Sequence, residues 1–395
     1  MPRPPTASAP KPPRITRRTL GGLALAGLAA AAGCAKGSGG STYRFGVITS
    51  QTGSGSQLGI GELQGARLAA DTLNAGGGIR GRMIELVTAD DQSTPVQAVL
   101  QARRMIGNVD AIMGSTLAAS CNAITPLAES SRTVTYCLSP GIKPKPGGYV
   151  WSASASTKDL SERILRYWQA GGISRIGLLH STDASGEEGG TSVHAAAALL
   201  RGTDVVAEAS FEPGAVSVTS QLQAVLAARP QALVVWSTGA AAAVAIKAIA
   251  QLGLDLPVAT TNGNLTYAFL RRIADYTPKT LLIPATQDFW WQQSDRPAPA
   301  PALEARYHHD FQARYGVRPD FGPGVGYDAV LLLADALAHG SGDPRTLKED
   351  LERRPEVVGV AGTYRFGPDE RRGLGIADVA MVRVANGGFV PVEER

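Results

Sequence analysis

Apolar and polar positions follow two alternating rhythms along most of this 395-residue chain. Short apolar runs such as 43–48 and 176–179 are followed by segments such as 59–74, in which apolar residues recur every three or four positions. The short runs are typical of buried strands, and the longer rhythm is typical of amphipathic helices. Their repeated alternation predicts an α/β fold with parallel sheets. Because the series begins again near residue 176, we predict two Rossmann-like lobes.

The start of the chain has a different composition. Residues 1–34 contain five Lys or Arg residues and no Asp or Glu. The apolar run 20–32 is shorter than the roughly 20 residues that a helix needs to span a bilayer, so the segment 1–34 is predicted to be a signal peptide. Arg17 and Arg18 lie in a stretch that resembles a twin-arginine export motif. An ordinary Sec signal is the alternative.

Cys34 ends a segment, Ala31–Cys34, that resembles a bacterial lipobox, although Ala31 stands where Leu is usual. The resemblance implies that Cys34 is lipidated and that residues 35–42 form a tether. The mature protein would then be anchored by lipid to the outer face of the cytoplasmic membrane. The alternative is an unmodified thiol beside a signal-peptidase site.

Two cysteines remain in the mature chain, Cys121 and Cys137. They are too few for a disulfide-rich scaffold or a Cys₄ metal site. An exported protein can hold a disulfide between them, and two separate buried thiols are the alternative. The chain beyond the basic leader is close to neutral and has no basic cluster, which argues against a nucleic-acid partner.

Several short motifs occur in the order typical of one known family. They are Gly46–Gly53, Gly65–Ala66, Asn74–Gly81, Asp90–Asp91, Leu252–Leu254 and Gly326–Ala329. In these motifs the chain resembles the type I periplasmic solute-binding proteins, and most closely the leucine/isoleucine/valine-binding family of ABC importers. The resemblance implies two lobes joined by a three-segment hinge that closes over a ligand. Lobe 1 would take residues 41–153 and 285–354, and lobe 2 would take residues 154–284 and 355–395.

The resemblance also implies which residues of lobe 1 hold the ligand. The family's serine position falls on Ala118, so we expect the backbone N–H groups of Ala118 and Ala119 to bind a carboxylate at a helix N-terminus. Ser115 or Ser120 would supply the missing hydroxyl. The alternative is that this loop only caps the helix. In the next loop Ser139 is the candidate, and the family's Thr is replaced by Gly141. Thr52 and Ser54 are expected at the rim.

Lobe 2 departs further from the family. Ser185 stands where the family often has a Tyr, and Thr238 begins a helix that faces the cleft. Asn262 stands where amino-acid binders have an acid that pairs with the ligand's ammonium group. Its loss removes a charge-assisted contact of roughly 1.5–3 kcal/mol. An amide, a urea-like compound, a small carboxylate or an aromatic acid would therefore suit Asn262 better. Trp290 is expected either to stack on a flat ligand or to pack the hinge.

These observations predict an exported solute-binding protein that captures a small polar ligand and delivers it to an ABC permease. We expect a monomer without catalytic activity, metal or cofactor. A ligand-sensing receptor subunit of the same fold is the alternative. An exported nucleotide-cofactor enzyme is a remote one, because Leu58 stands where a G-x-G-x-x-G motif needs its third Gly.

Overall fold

The computed structural model describes residues 42–293 and 295–392. The predicted signal peptide, the lipobox with Cys34 and most of the predicted tether fall on residues 1–41, outside the described residues, and they stay predictions.

The first sheet is entirely parallel. Its strands are β1 (Tyr43–Thr49), β2 (Ile84–Asp90), β3 (Ala111–Gly114), β4 (Thr135–Cys137) and β5 (Val150–Ser152), in the order β2-β1-β3-β4-β5. The helices that connect them are α1 (Ser56–Ala75), α2 (Pro95–Met105) and α3 (Ala118–Ser131). The functional loops therefore lie together at the carboxyl ends of the strands.

The second sheet is mixed. Its parallel strands are β6 (Arg175–Ser181), β7 (Asp204–Phe211), β8 (Ala232–Trp236), β9 (Val258–Thr260) and β10 (Leu281–Ala285). The antiparallel strands β13 (Ala380–Ala385) and β14 (Gly388–Pro391) extend it beyond β10. Its helices are α4 (Thr157–Ala170), α5 (Ala184–Leu199), α6 (Thr219–Leu226), α7 (Gly239–Gln251) and α8 (Tyr267–Ile273). The predicted α/β class with two sheets is confirmed. The antiparallel pair differs from the prediction, because hydrophobic periodicity identifies a strand but not its direction.

The remaining elements are α9 (Ala300–Tyr315), α10 (Phe321–His339), α11 (Leu347–Arg353) and the short strands β11 (Val357–Val358) and β12 (Thr363–Tyr364). Helix α10 is apolar and almost wholly buried, and it packs against α1 of the first sheet. We use "lobe 1" for the first sheet with α1–α3 and α9–α11, and "lobe 2" for the second sheet with α4–α8. The residue boundaries given above for the lobes stay a proposal.

The chain passes between the two sheets three times. The first crossing follows β5 (153–156), the second connects β10 to α9 (286–299), and the third connects α11 to β12 (354–362). The second and third crossings are hydrogen-bonded to each other, since the Gln287 amide donates to the Ala361 carbonyl at 3.0 Å. The second and third crossings are thus joined directly.

Candidate functional site

Two buried carboxyl groups, Asp91 and Glu62, accept hydrogen bonds from the loops of lobe 1 that face lobe 2. The hydroxyl of Ser115 donates to Asp91, and the hydroxyl of Thr116 donates to Glu62 at 2.5 Å. Ser50 joins both, because its amide donates to Thr116 Oγ1 at 2.9 Å and its hydroxyl donates to Asp91 at 2.7 Å. The Ser115 hydroxyl therefore points to the buried carboxylate of Asp91 beneath the loop.

Helix α3 begins at Ala118, directly after this supported loop. Its N-cap residue, Leu117, provides no side-chain hydrogen bond to the first turn. The first N–H groups of a helix have no partner within the helix, and they carry the positive end of its dipole. Ala118 is buried, while Ala119 is exposed and Ser120 is buried with its hydroxyl unpartnered. The start of α3 can accept an anion through its backbone.

Three of the predicted residues meet where the lobes touch. A Cβ atom added at Gly141 would lie 3.1 Å from Cβ of Ala118 and 3.6 Å from Oγ of Ser185 in lobe 2. Ser139 belongs to the same group, since its hydroxyl accepts a hydrogen bond from the Gly141 amide at 3.3 Å. An ion pair between Lys143 and Glu188 at 2.9 Å links the two lobes beside this contact.

A disulfide holds the lobe 1 side of this contact together. Cys121 in the first turn of α3 is bonded to Cys137 at the end of β4, and their Cα atoms are 6.0 Å apart. The structure thus selects the disulfide over two separate thiols. Because Cys137 stands two residues before Ser139, the bond fixes the start of α3 relative to the Ser139–Gly141 loop.

A second group lies at the ends of β8 and β9 in lobe 2. Asn262 is 1% exposed, and its amide donates to Ser154 of the first crossing at 3.2 Å. A Cβ atom added at Gly263 would lie 3.1 Å from Cγ2 of Thr238. Thr238 and Asn262 are thus close in space, as the resemblance implied. No acidic side chain stands at the position of Asn262 to pair with an ammonium group.

Gln57 lies between the lobes and is not among the residues predicted above to bind the ligand. It lies in the first turn of α1, and its side chain reaches from lobe 1 to the start of α7. A Cβ atom added at Gly239 would lie 2.9 Å from Gln57 Nε2, which is buried and has no hydrogen-bond partner among residues 42–293 and 295–392. The sequence feature that could have indicated Gln57 is its position as a polar residue two places after Gly55, the N-cap of α1.

The other predicted residues lie apart from these groups. Thr52 and Ser54 are exposed at the rim, where the Thr52 hydroxyl donates to Asp90 at 2.7 Å. Trp290 lies in the second crossing and lines a separate cavity of about 300 Å³ with Trp291 and His308. The structure does not bring Trp290 together with Ala118, Gly141 and Ser185.

The buried acid Glu62 has a strongly shifted pKa. Burial raises the pKa of Glu62 to about 8, the hydrogen bond from Thr116 opposes this rise, and the charge of Asp91 adds to it. Glu62 is thus largely protonated at neutral pH in the folded protein and ionised when unfolded.

We predict that Glu62 makes the free energy of unfolding fall as the pH rises. The folded state keeps the proton between about pH 5 and 8 while the unfolded state releases it, so stability is lost by up to about 1.4 kcal/mol per pH unit over that range. Glu62→Gln should flatten this dependence. Urea unfolding at several pH values checks it, with the exposed Glu212→Gln as control. An unchanged slope in Glu62→Gln would contradict the assignment.

The fold has two α/β lobes that touch at the carboxyl ends of their parallel strands. A family model described as periplasmic binding protein matches residues 42–388, and the chain belongs to this family. Membership implies an exported protein that binds a ligand. The predicted resemblance is confirmed.

Individual relatives agree with this assignment. An "amino acid binding protein" of Pseudomonas aeruginosa is 43% identical over 68 residues, which is 17% of this chain and 18% of that protein. An extracellular ligand-binding receptor from Rhodopseudomonas palustris HaA2 has a TM-score of 0.81 at 21% identity, over 89% of this chain and 100% of that one. LivJ of Streptococcus pneumoniae, a branched-chain amino acid transporter substrate-binding protein in complex with isoleucine, has a TM-score of 0.74 at 19% identity, covering 89% and 99%. These structures share the fold.

Proposed function

We propose that this protein is the extracytoplasmic solute-binding component of an ABC importer. The observation that carries the proposal is the meeting of Ala118 and Gly141 of lobe 1 with Ser185 of lobe 2, across a cleft at the carboxyl ends of both sheets. The hinge of three crossings would open and close this cleft. The relatives named above are binding proteins, which supports a role without catalysis. We further propose export by the leader and anchoring through Cys34.

The proposed ligand is a small polar molecule held by backbone groups and hydroxyls. The start of α3 suits a carboxylate or a carbonyl oxygen, because its N–H groups are free of side-chain caps. Asn262 offers an amide where a zwitterion would need an acid, which favours a carboxylate, an amide or a urea-like compound over a free amino acid. The residues proposed to hold it are Ala118, Ala119, Ser120, Ser139, Gly141, Ser185, Thr238 and Asn262, with Thr52 and Ser54 at the rim. Ser115 is proposed to support this loop through its hydrogen bond to Asp91.

A thermal-shift screen of the purified protein against amino acids, amides, ureas and carboxylic acids tests the proposal. A ligand at 100 times its Kd stabilises a protein by roughly 2.7 kcal/mol, which a melting curve detects. We expect hits among carboxylates or amides. Hits confined to leucine, isoleucine and valine would contradict the proposal that Asn262 disfavours free amino acids. A panel in which no compound raises the melting temperature would contradict the proposed ligand-binding function.

Gly141→Leu supplies the matched test of the site for any hit. The larger side chain would occupy the space between Ala118 and Ser185, so we expect ligand affinity to fall at least about tenfold. Gly214→Leu is the control, since a Cβ atom at Gly214 would meet no atom within 4 Å. Equal ligand affinity in the two variants would place the site elsewhere.

A further inference from the structure

A cavity of about 600 Å³ lies between the lobes, and its lining is separate from Ala118, Gly141 and Ser185. Helix α1 of lobe 1 forms one wall with Gln57 and Ile60, and α8 of lobe 2 forms the opposite wall with Ala268 and Arg271. Its volume is in the range of sites for small organic ligands. Since both lobes line it, its shape changes when the lobes move.

The walls of this cavity combine apolar surface with positive charge. Ile60 and Val317 are 47% and 56% exposed, and both line it together with the buried Phe311. Large apolar side chains exposed in a concave site lose that exposure when an apolar ligand covers them. Arg271 and Arg318 also line the cavity.

One acidic residue, Asp320, stands against these two arginines. Its carboxylate accepts a hydrogen bond from the Tyr267 amide at 3.0 Å. The lining therefore has two guanidinium groups and one carboxylate. This charge is complementary to an organic anion, and guanidinium groups bind carboxylates well.

Gln57 connects this cavity with the proposed binding residues. Its side chain lines the cavity, and the same side chain lies against Gly239, directly after Thr238. Its Nε2 donor is buried, and no atom of the described part of the chain accepts a hydrogen bond from it. An unpaired buried donor is costly, and a ligand oxygen at this place would satisfy it.

We infer that the ligand of this protein is an organic anion whose apolar body extends from the cleft, past Gln57, into the cavity between α1 and α8. This inference rests on the proposed capture function and names the class of its ligand. The apolar body lies against Ile60 and Val317, and the carboxylate faces Arg271 and Arg318 and not the start of α3. The inference thus narrows the small polar ligand proposed above to an anion with an apolar part. The ligand is therefore larger and more apolar than an aliphatic amino acid.

Isothermal titration calorimetry with four compounds tests the ligand class on the purified protein. The compounds are 3-phenylpropionate, its neutral amide, propionate and leucine. We expect 3-phenylpropionate to bind at least about tenfold more tightly than propionate, which lacks the apolar body, and than the amide, which lacks the charge. Equal affinity for 3-phenylpropionate and propionate would overturn the inference.

Two pairs of variants test whether the anion binds in the cavity between α1 and α8. Ala268→Phe fills the cavity and should weaken 3-phenylpropionate binding at least about tenfold, whereas Ala313→Phe, exposed on α9, should not. Arg271→Gln should weaken the same anion several-fold. Arg272→Gln is its control, because Arg272 is the next residue of α8 and does not line the cavity. If Ala268→Phe melts early, Ile60→Ser takes its place.

The outcomes separate this inference from the proposed function. Binding of any compound to the wild type that neither Ala268→Phe nor Ile60→Ser weakens overturns the inference and leaves capture in place. A wild type that binds none of these compounds overturns the inference. If it also binds nothing in the wider panel described above, the proposed function fails as well.

Discussion

Gly65→Ala should destabilise the protein by about 3 kcal/mol or more, because α1 and α10 are packed backbone against backbone at this point. A Cβ atom added at Gly65 would lie 1.9 Å from the carbonyl oxygen of Pro323 in α10. A main-chain carbonyl in the first turn of a buried helix cannot move aside as a flexible side chain does. The two helices would have to separate, and the packing around them would be lost.

Urea unfolding of Gly65→Ala measures this effect against Gly214→Ala, a substitution in open space. The control should change the free energy of unfolding by less than about 1 kcal/mol. Gly326→Ala offers a second test from the opposite helix, since its Cβ atom would lie 1.9 Å from the carbonyl oxygen of Glu62. A small loss in both α1 and α10 variants would show that the helices can separate at low cost.

The alternation of strands and helices could be predicted from the sequence, because periodicity follows from burial within each element. The helix predicted at 59–74 is α1 at Ser56–Ala75, and the series predicted to begin again near residue 176 begins with β6 at Arg175–Ser181. The close packing of α1 on α10 could not be predicted in the same way. It depends on which helix faces pack against each other, and the glycines of a helix do not show which other helix they will contact.

The site could be predicted only in part, and the reasons differ by residue. Ala118, Gly141 and Ser185 come together because loops at the carboxyl ends of parallel strands meet. The direction of the Ser115 side chain could not be read, because it depends on Asp91, a carboxylate buried by the assembly of three loops. Gln57 was missed because its reach across the cleft depends on how far the lobes have closed.

The pairing of Cys121 with Cys137 stayed open for a related reason. Their placement at a helix start and a strand end allowed a bond, but two neighbouring elements of a parallel layer can also bury separate thiols. The structure decides between the two arrangements, because the two Sγ atoms are bonded, with their Cα atoms 6.0 Å apart.

Asp328→Ala should have the other large effect, because this carboxylate joins α10 to the hinge. Asp328 is 0% exposed and accepts hydrogen bonds from the amides of Val360 and Ala361 in the third crossing and from the Tyr364 hydroxyl, at 2.8–2.9 Å. Alanine would leave three buried donors without an acceptor. At 1–3 kcal/mol for each unsatisfied donor, we expect a loss of about 4 kcal/mol in the free energy of unfolding.

A graded series separates this role from general damage to the core. Tyr364→Phe removes one of the three donors together with its need for an acceptor, so it should cost only about 1 kcal/mol. Asp275→Ala, at an exposed position two residues after the end of α8, should cost less. Urea unfolding measures all three variants.

Asp328→Ala should also change how the lobes close. The third crossing holds the second through the Ala361 carbonyl, which accepts from the Gln287 amide, so freeing Ala361 from Asp328 loosens two of the three hinge segments together. Small-angle scattering with and without a ligand from the screen should then show a smaller ligand-dependent compaction in Asp328→Ala than in Tyr364→Phe. If both variants close like the wild type, Asp328 stabilises the fold without setting the hinge, and the position of the lobes is controlled by the other contacts between them.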